Sequence, residues 1–132
     1  MNLYLAARYD RLPEMAQIAE KLADAGHGVT SRWIRGFGKP DADTALYDRT
    51  DVVVADALVL FTEDPSANVP FAARGGRHVE FGYALRAGKR LFLVGPRENI
   101  FHELPDVTAF DDVDEMLRYF DAFEPTGAGG RD

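Results

Sequence analysis

The sequence contains no cysteine. That absence excludes a disulfide framework, thiolate chemistry and a zinc-finger site, and it fits a reducing cytosol. No apolar stretch approaches the length needed to cross a membrane, and Met1-Asn2-Leu3-Tyr4-Leu5 has no basic region ahead of its apolar run. The expectation is a cytoplasmic protein, neither exported by a standard signal nor membrane-bound. Basic residues are in deficit, 15 Lys and Arg against 22 Asp and Glu, for a net charge of −7. Duplex nucleic acid usually needs a basic face and is not an expected partner. A small phosphorylated ligand needs only one or two local cations and stays open. No metal-ligand cluster, internal repeat or second domain is visible in the chain, and no cofactor is expected.

What remains is ordinary in amount: 132 residues, 46% apolar and 28% charged, which suffices for one soluble domain with a real core. Its order is more informative. Leu3 to Ala7 reads as a first strand. Met15, Ile18, Ala19, Leu22 and Ala23 recur at helical spacing, so Pro13 to Ala25 reads as an amphipathic helix stopped by Gly26-His27-Gly28. Val29 to Ile34 alternates like an edge strand, and Gly36 to Pro40 is a loop. Asp41 or Asp43 caps a helix running to about Val54. Ala57 to Thr62 is a buried strand, followed by a long loop from Glu63 to Arg77 and a helix from about His78 to Ala87. Arg90 to Val94 is a fourth strand, Gly95 to Asn99 opens a short helix through Leu104, Val107 to Phe110 is a fifth strand, and Val113 to Phe123 a last helix. The domain spans residues 1–124, and the Gly-rich tail 125–132 should be flexible.

Strands alternating with helices imply right-handed crossovers and a parallel sheet. The predicted fold is α/β, a single doubly wound five-stranded parallel sheet of flavodoxin-like order 2-1-3-4-5. Sites in such sheets form at the carboxyl ends of the strands. That rim collects Arg8, the Glu63 to Arg77 loop and Gly95 to Asn99. Asp48 faces it from the helix between strands two and three, whereas Asp56 falls at the opposite rim and reads as structural. Glu80 is placed in the first turn of its helix, where amides and the macrodipole keep a carboxylate ionised. An ionised, positioned carboxylate is a candidate nucleophile, although acidic residues also occur at helix starts for stability alone. Tyr4 is either a core aromatic or a phenol reaching a site carboxylate. Arg8, Arg74, Arg77 and His78 are surface cations singly, but together they would suit an anion such as a 5'-phosphate. Arg77 is the first choice, beside Gly75 and Gly76 whose small size allows close approach; its bland role would be to pair with Glu63 or Asp64. Trp33 either packs in the core or stacks a flat base.

These residues carry a resemblance. Tyr4 in Leu-Tyr-Leu-Ala-Ala, Asp48 eight residues before Asp56, and Val79-Glu80-Phe81-Gly82-Tyr83-Ala84-Leu85 with the following Gly88-Lys89-Arg90 resemble the nucleoside 2-deoxyribosyltransferase family, including the similar 2'-deoxynucleoside 5'-phosphate N-hydrolases and cytidylate N-glycosidases. The resemblance covers about residues 2 to 97. It implies a flavodoxin-like sheet, Glu80 as nucleophile, Asp48 as the aspartate near the base, and Tyr4 as the tyrosine that orients the glutamate. The chain departs from the pattern at Arg74, six positions before Glu80, where transferases often carry an acid and nucleotide hydrolases a serine. The asparagine that a neighbouring transferase subunit donates has no clear match in Val107 to Asp132. The chemistry implied is cleavage of the N-glycosidic bond of a (deoxy)nucleoside 5'-monophosphate through a glutamyl-glycosyl intermediate. Base exchange on deoxyribose is the alternative, and a non-catalytic nucleotide-binding module the next. A homodimer or larger homo-oligomer is expected, with Ile100, Phe101, Leu104, Phe120 and Phe123 offering apolar surface.

Overall fold

Three largely apolar pentapeptides dictate the centre of the molecule. In a computed structural model, which describes residues 1–36, 42–66 and 75–123, they form strands β1 (Asn2–Ala6), β3 (Ala57–Phe61) and β4 (Arg90–Val94). Every residue of β3 is buried, as expected of a central parallel strand covered on both faces. Short strands β2 (Gly28–Val29) and β5 (Val107–Phe110) complete one parallel sheet of order β2-β1-β3-β4-β5. Tyr4 lies opposite Leu58, and Leu58 opposite Leu91, so the three long strands run in register. The fold is the expected α/β flavodoxin-like one.

Among the described residues, four α-helices cover the sheet. Helix α1 (Leu12–Asp24) buries Met15, Ile18 and Leu22, and α4 (Val113–Phe123) buries Met116 and Phe120. His27, just past α1, stacks near Phe120 at 5.1 Å, which places these two helices on one face. Helix α2 (Ala42–Val54) packs against α3 (Gly76–Arg86) and both touch β1. Among the described residues no helix is long and apolar enough to cross a membrane.

Three boundaries differ from the sequence reading. Of the expected second strand, Val29 to Ile34, only Val29 pairs with β1, joined by Gly28 before it; Arg32–Arg35 is a 3-10 helix. Side chains replace the missing ladder: Leu5 N donates to Ser31 Oγ at 3.1 Å, and Trp33 Nε1 donates to Leu5 O at 2.9 Å. Trp33 and Ile34, adjacent and both buried, satisfy a helical turn rather than a two-residue period. Second, α3 begins at Gly76, so Glu80 is in its second turn and not its first. Third, the short helix before β5 is a single 3-10 turn, Ile100–Glu103, capped by Asn99, whose Oδ1 accepts from Phe101 N at 2.9 Å. Asp43 lies inside the first turn of α2, while Asp41, most of the Glu63 to Arg77 loop and the tail fall outside the described residues.

Candidate active site

Inward-facing residues of α3 recur as Arg77, Phe81 and Ala84, a stripe at helical spacing that packs onto the sheet. Glu80, one turn after Arg77, lies on the flank of that stripe and reaches over β1. Tyr4, fully buried in β1, donates its hydroxyl to Glu80 Oε2 at 2.6 Å. This bond joins residues far apart in the chain and is the shortest route between the first strand and α3. Asp48 sits mid-helix in α2, half-buried, and its charge reaches both Tyr4 and Glu80. The structure thus brings Tyr4, Asp48 and Glu80 together.

The electrostatics differ from the expectation of an ionised glutamate held by a helix start. Burial pushes the Glu80 carboxyl up to about 8; the Tyr4 hydrogen bond opposes this, and the Asp48 charge adds to it. Burial and then the neighbouring Asp51 push Asp48 up to about 6, against the pull of Arg32. The Tyr4 phenol is driven far above its usual range by burial and by the charges of Glu80 and Asp48, so it remains a neutral donor. Between about pH 6 and 8 the two carboxyls therefore hold one proton between them.

Asp56 has the structural place expected of it. At the opposite rim, its Oδ2 accepts the Asn2 amide at 2.7 Å while its own amide donates to Asn2 O at 2.7 Å.

The rim cations are fastened to carboxylates. Arg8 pairs with Asp10 and, at 3.1 Å, with Glu63, and Arg11 Nη1 donates to the other Glu63 oxygen at 2.9 Å. Arg77 Nη2 donates to both oxygens of Glu98, at 2.9 and 3.1 Å, and His78 Nε2 lies 3.2 Å from Glu98 Oε1. The acid facing Arg77 thus comes from the loop after β4, not from Glu63 or Asp64. Arg74 lies outside the described residues. Gly76 opens α3, with free space where a Cβ would stand. Trp33 is buried with its indole N–H on the β1 backbone, and the exposed Tyr9 ring packs 6.1 Å from it at the rim.

Two participants escaped the sequence reading. Asp51 is buried one turn beyond Asp48, accepting the Arg32 amide at 3.0 Å and its Nε at 2.9 Å, with the guanidinium over the Tyr47 ring. Its three-residue spacing from Asp48 on one helix was the available signal. Glu98 carried only the hint that it borders a loop at the rim, while Glu63, expected as an ion-pair partner in its loop, meets Arg8 and Arg11.

Among the described residues no group of three or more His, Cys, Asp or Glu is placed to hold a metal. A groove of about 400 Å³ runs along the outer side of α3, lined by Val79, Gly82, Leu85 and Phe101, and does not include Glu80. Of the apolar residues expected to face a partner, Ile100, Phe101 and Phe123 are exposed, Leu104 is partly covered, and Phe120 is 1% exposed and belongs to the core.

No family model and no curated protein matches the sequence. The fold is similar to the solved structure of the Clostridium botulinum CMP N-glycosidase BcmB, with a TM-score of 0.63 at 20% identity, covering 93% of this chain and 100% of that one. At that identity the likeness concerns the fold.

Proposed function

We propose that the protein cleaves the N-glycosidic bond of a (deoxy)nucleoside 5'-monophosphate. The observation that carries this reading is the Tyr4 hydroxyl on Glu80 beside Asp48, two carboxyls of unequal acidity with one proton between them. Pairs of titratable groups pushed apart by their surroundings are the usual basis of acid and nucleophile assignments.

In this reading Glu80, ionised, attacks C1' as the C1'–N bond breaks and its electron pair leaves with the base. Asp48 gives its proton to the departing nitrogen, a contribution of about 10²–10⁴-fold. The base nitrogen, as acceptor, favours the tautomer with the shared proton on Asp48 and the charge on Glu80. Tyr4 then steadies the Glu80 anion and orients the attacking oxygen. Water opens the glycosyl ester at C1', passing its proton to Asp48, and releases the sugar phosphate. One water is consumed and one free base is formed for each bond cut.

Arg8, Arg11, Arg77 and His78 supply positive charge along the rim. A 5'-phosphate would bind there by exchanging with Glu63 as the partner of Arg8 and Arg11. The likeness of the fold to that of a protein named for CMP supports a nucleotide over a free nucleoside. The exposed Ile100, Phe101 and Phe123 support self-association, which light scattering at micromolar concentration would read as a mass above that of one chain.

The test is incubation with nucleosides and their 5'-monophosphates, with and without a free acceptor base, followed by measurement of released base. Release from monophosphates without acceptor is the expected result. Product only in the presence of acceptor would make the protein a deoxyribosyltransferase, and no product from any substrate would leave a binding module.

A further inference from the structure

Glu98 takes no part in the chemistry above, yet three separate chain segments converge on it. Its carboxylate accepts the Glu63 amide at 2.6 Å, two contacts from Arg77 at 2.9 and 3.1 Å, and faces His78 at 3.2 Å. Its own amide donates to His102 Nδ1 at 2.9 Å. His102 is fully buried, its ring 5.6 Å from His78 and 5.2 Å, edge-on, from Phe81. The turn that leads to Glu98 is also tightly built: Gly95 has φ 116°, and a Cβ there would stand 2.5 Å from Thr62 Oγ1. Glu98 is therefore held from below by the turn after β4, packed against Thr62, and by His102.

The start of α3 has no comparable local fixing. Gly75 and Gly76 lead into it, no side chain caps it, and no acidic residue lies in its first turn. Two glycines carry the largest backbone freedom the chain can have, so local sequence does not determine where this helix begins. Glu98 ties its first turn through an Arg77 side chain that is 3% exposed and through His78. Arg77 is one turn before Glu80. A shift of the first turn therefore moves Glu80 relative to Tyr4, which is fixed in the sheet.

We propose that Glu98 is a positioning residue: by holding Arg77 and His78 from the loop after β4, it sets the first turn of α3 and keeps the Glu80 carboxyl on the Tyr4 hydroxyl. The proposal rests on the reading of Glu80 as the reacting carboxylate for its consequence in turnover, but its geometric half stands without any substrate. The groups acting on Glu80 are Tyr4 and Asp48, so Glu98 works through the backbone and not through its own charge. Misplacement by about 1 Å is enough to cost on the order of 100-fold in rate.

The test compares wild type, Glu98→Ala, Glu98→Gln and the control Glu103→Gln, an exposed acid on the following turn. The substrate-free readout is the side-chain carboxyl carbon of Glu80 in isotope-labelled protein, assigned by its loss in Glu80→Gln and followed through pH. In wild type and Glu103→Gln it titrates near 8. In Glu98→Ala it moves about one unit or more toward the ordinary glutamate value as the carboxyl leaves its niche, with Glu98→Gln between the two. On the substrate identified above, kcat falls about 10- to 100-fold in Glu98→Ala with KM within about threefold, and Glu98→Gln recovers part of it. An unchanged Glu80 titration in folded Glu98→Ala overturns the proposal, even if the variant is less stable. Should Glu98→Ala not fold, an unchanged titration in Glu98→Gln overturns it equally. A wild type that releases no base from any nucleotide sinks the functional reading, while the titration still decides the positioning role.

Discussion

A single acid, Glu98, and a pair, Glu80 and Asp48, border the same rim, and burial acts on them with opposite outcomes. Glu98 is drawn down: burial pushes it up, but the Glu63 amide, Arg77 and His78 outweigh that push and hold it below its ordinary value. Glu80 and Asp48 are pushed up, because against burial they have only the Tyr4 hydroxyl and the more distant Arg32. The partners make the difference. A partly covered acid met by a guanidinium, an imidazole and an amide is a fastening, spent on holding chain segments together. A buried acid given one hydroxyl and a second acid keeps a proton that is ready to move, and that is the arrangement acid–base chemistry requires.

Breaking the reactive pair has the largest expected effect. Glu80→Gln should leave the protein folded and abolish base release, read by chromatography of the free base; turnover near wild type would remove Glu80 from the role of nucleophile. Asp48→Asn comes next, with a loss of about 10²–10⁴-fold. Asp56→Asn, at the opposite rim, should spare turnover and cost only about 1 kcal/mol in urea unfolding through the weakened Asn2 amide bond. Equal losses in the two would mean that the rim, not the cluster, carries the chemistry. Tyr4→Phe keeps the ring in the core and removes the hydroxyl, for a loss of about 10- to 100-fold. Because that hydroxyl pulls Glu80 down, its removal should also shift the alkaline limb of the rate profile upward. In wild type the profile should be bell-shaped. The rate should fall below about 6, where both acids are protonated, and above about 8, where both are ionised.

Stability should separate the two regions by sign. The folded-state value of Glu80 is raised, so its contribution is full below its unfolded value near 4.5 and is lost as pH rises through about 8. Glu80→Gln should therefore gain on wild type with rising pH, by of the order of 2–4 kcal/mol at pH 9. Glu98 is lowered in the folded state, so its contribution is present above its unfolded value and lost as pH falls through the folded one. Glu98→Gln should lose stability at neutral pH, with the gap closing in acid. Thermal melts of the three proteins from pH 3 to 9 would show two opposite slopes; slopes of the same sign would erase the distinction.

Much of this was legible in the chain because it depends on local pattern. Ala57-Leu58-Val59-Leu60-Phe61 has no polar face and could only be a covered strand. The directions of strands and helices then place Asp48 and Asp56 at opposite rims. Where side chains substitute for backbone, pattern misled: Ser31 and Trp33 complete the β1 ladder from within a 3-10 turn that alternates like a strand. The start of α3 was misjudged by two residues, about half a turn, because Gly75 and Gly76 carry no helix signal, and that error made Glu80 look like a first-turn anion. Glu98 was invisible for a different reason. Its partners lie 35, 21 and 20 residues away, and no local spacing records such a meeting.

The central claim is that Glu80 forms a bond to the sugar, and rapid quenching in acid after mixing with a cleaved nucleotide tests it most directly. The quenched protein would be digested and its peptides weighed. The account predicts the mass of a pentose phosphate on the peptide containing Glu80, appearing before steady state and missing from Glu80→Gln. Base released with no adduct on that peptide, alongside undiminished turnover in Glu80→Gln, would contradict it.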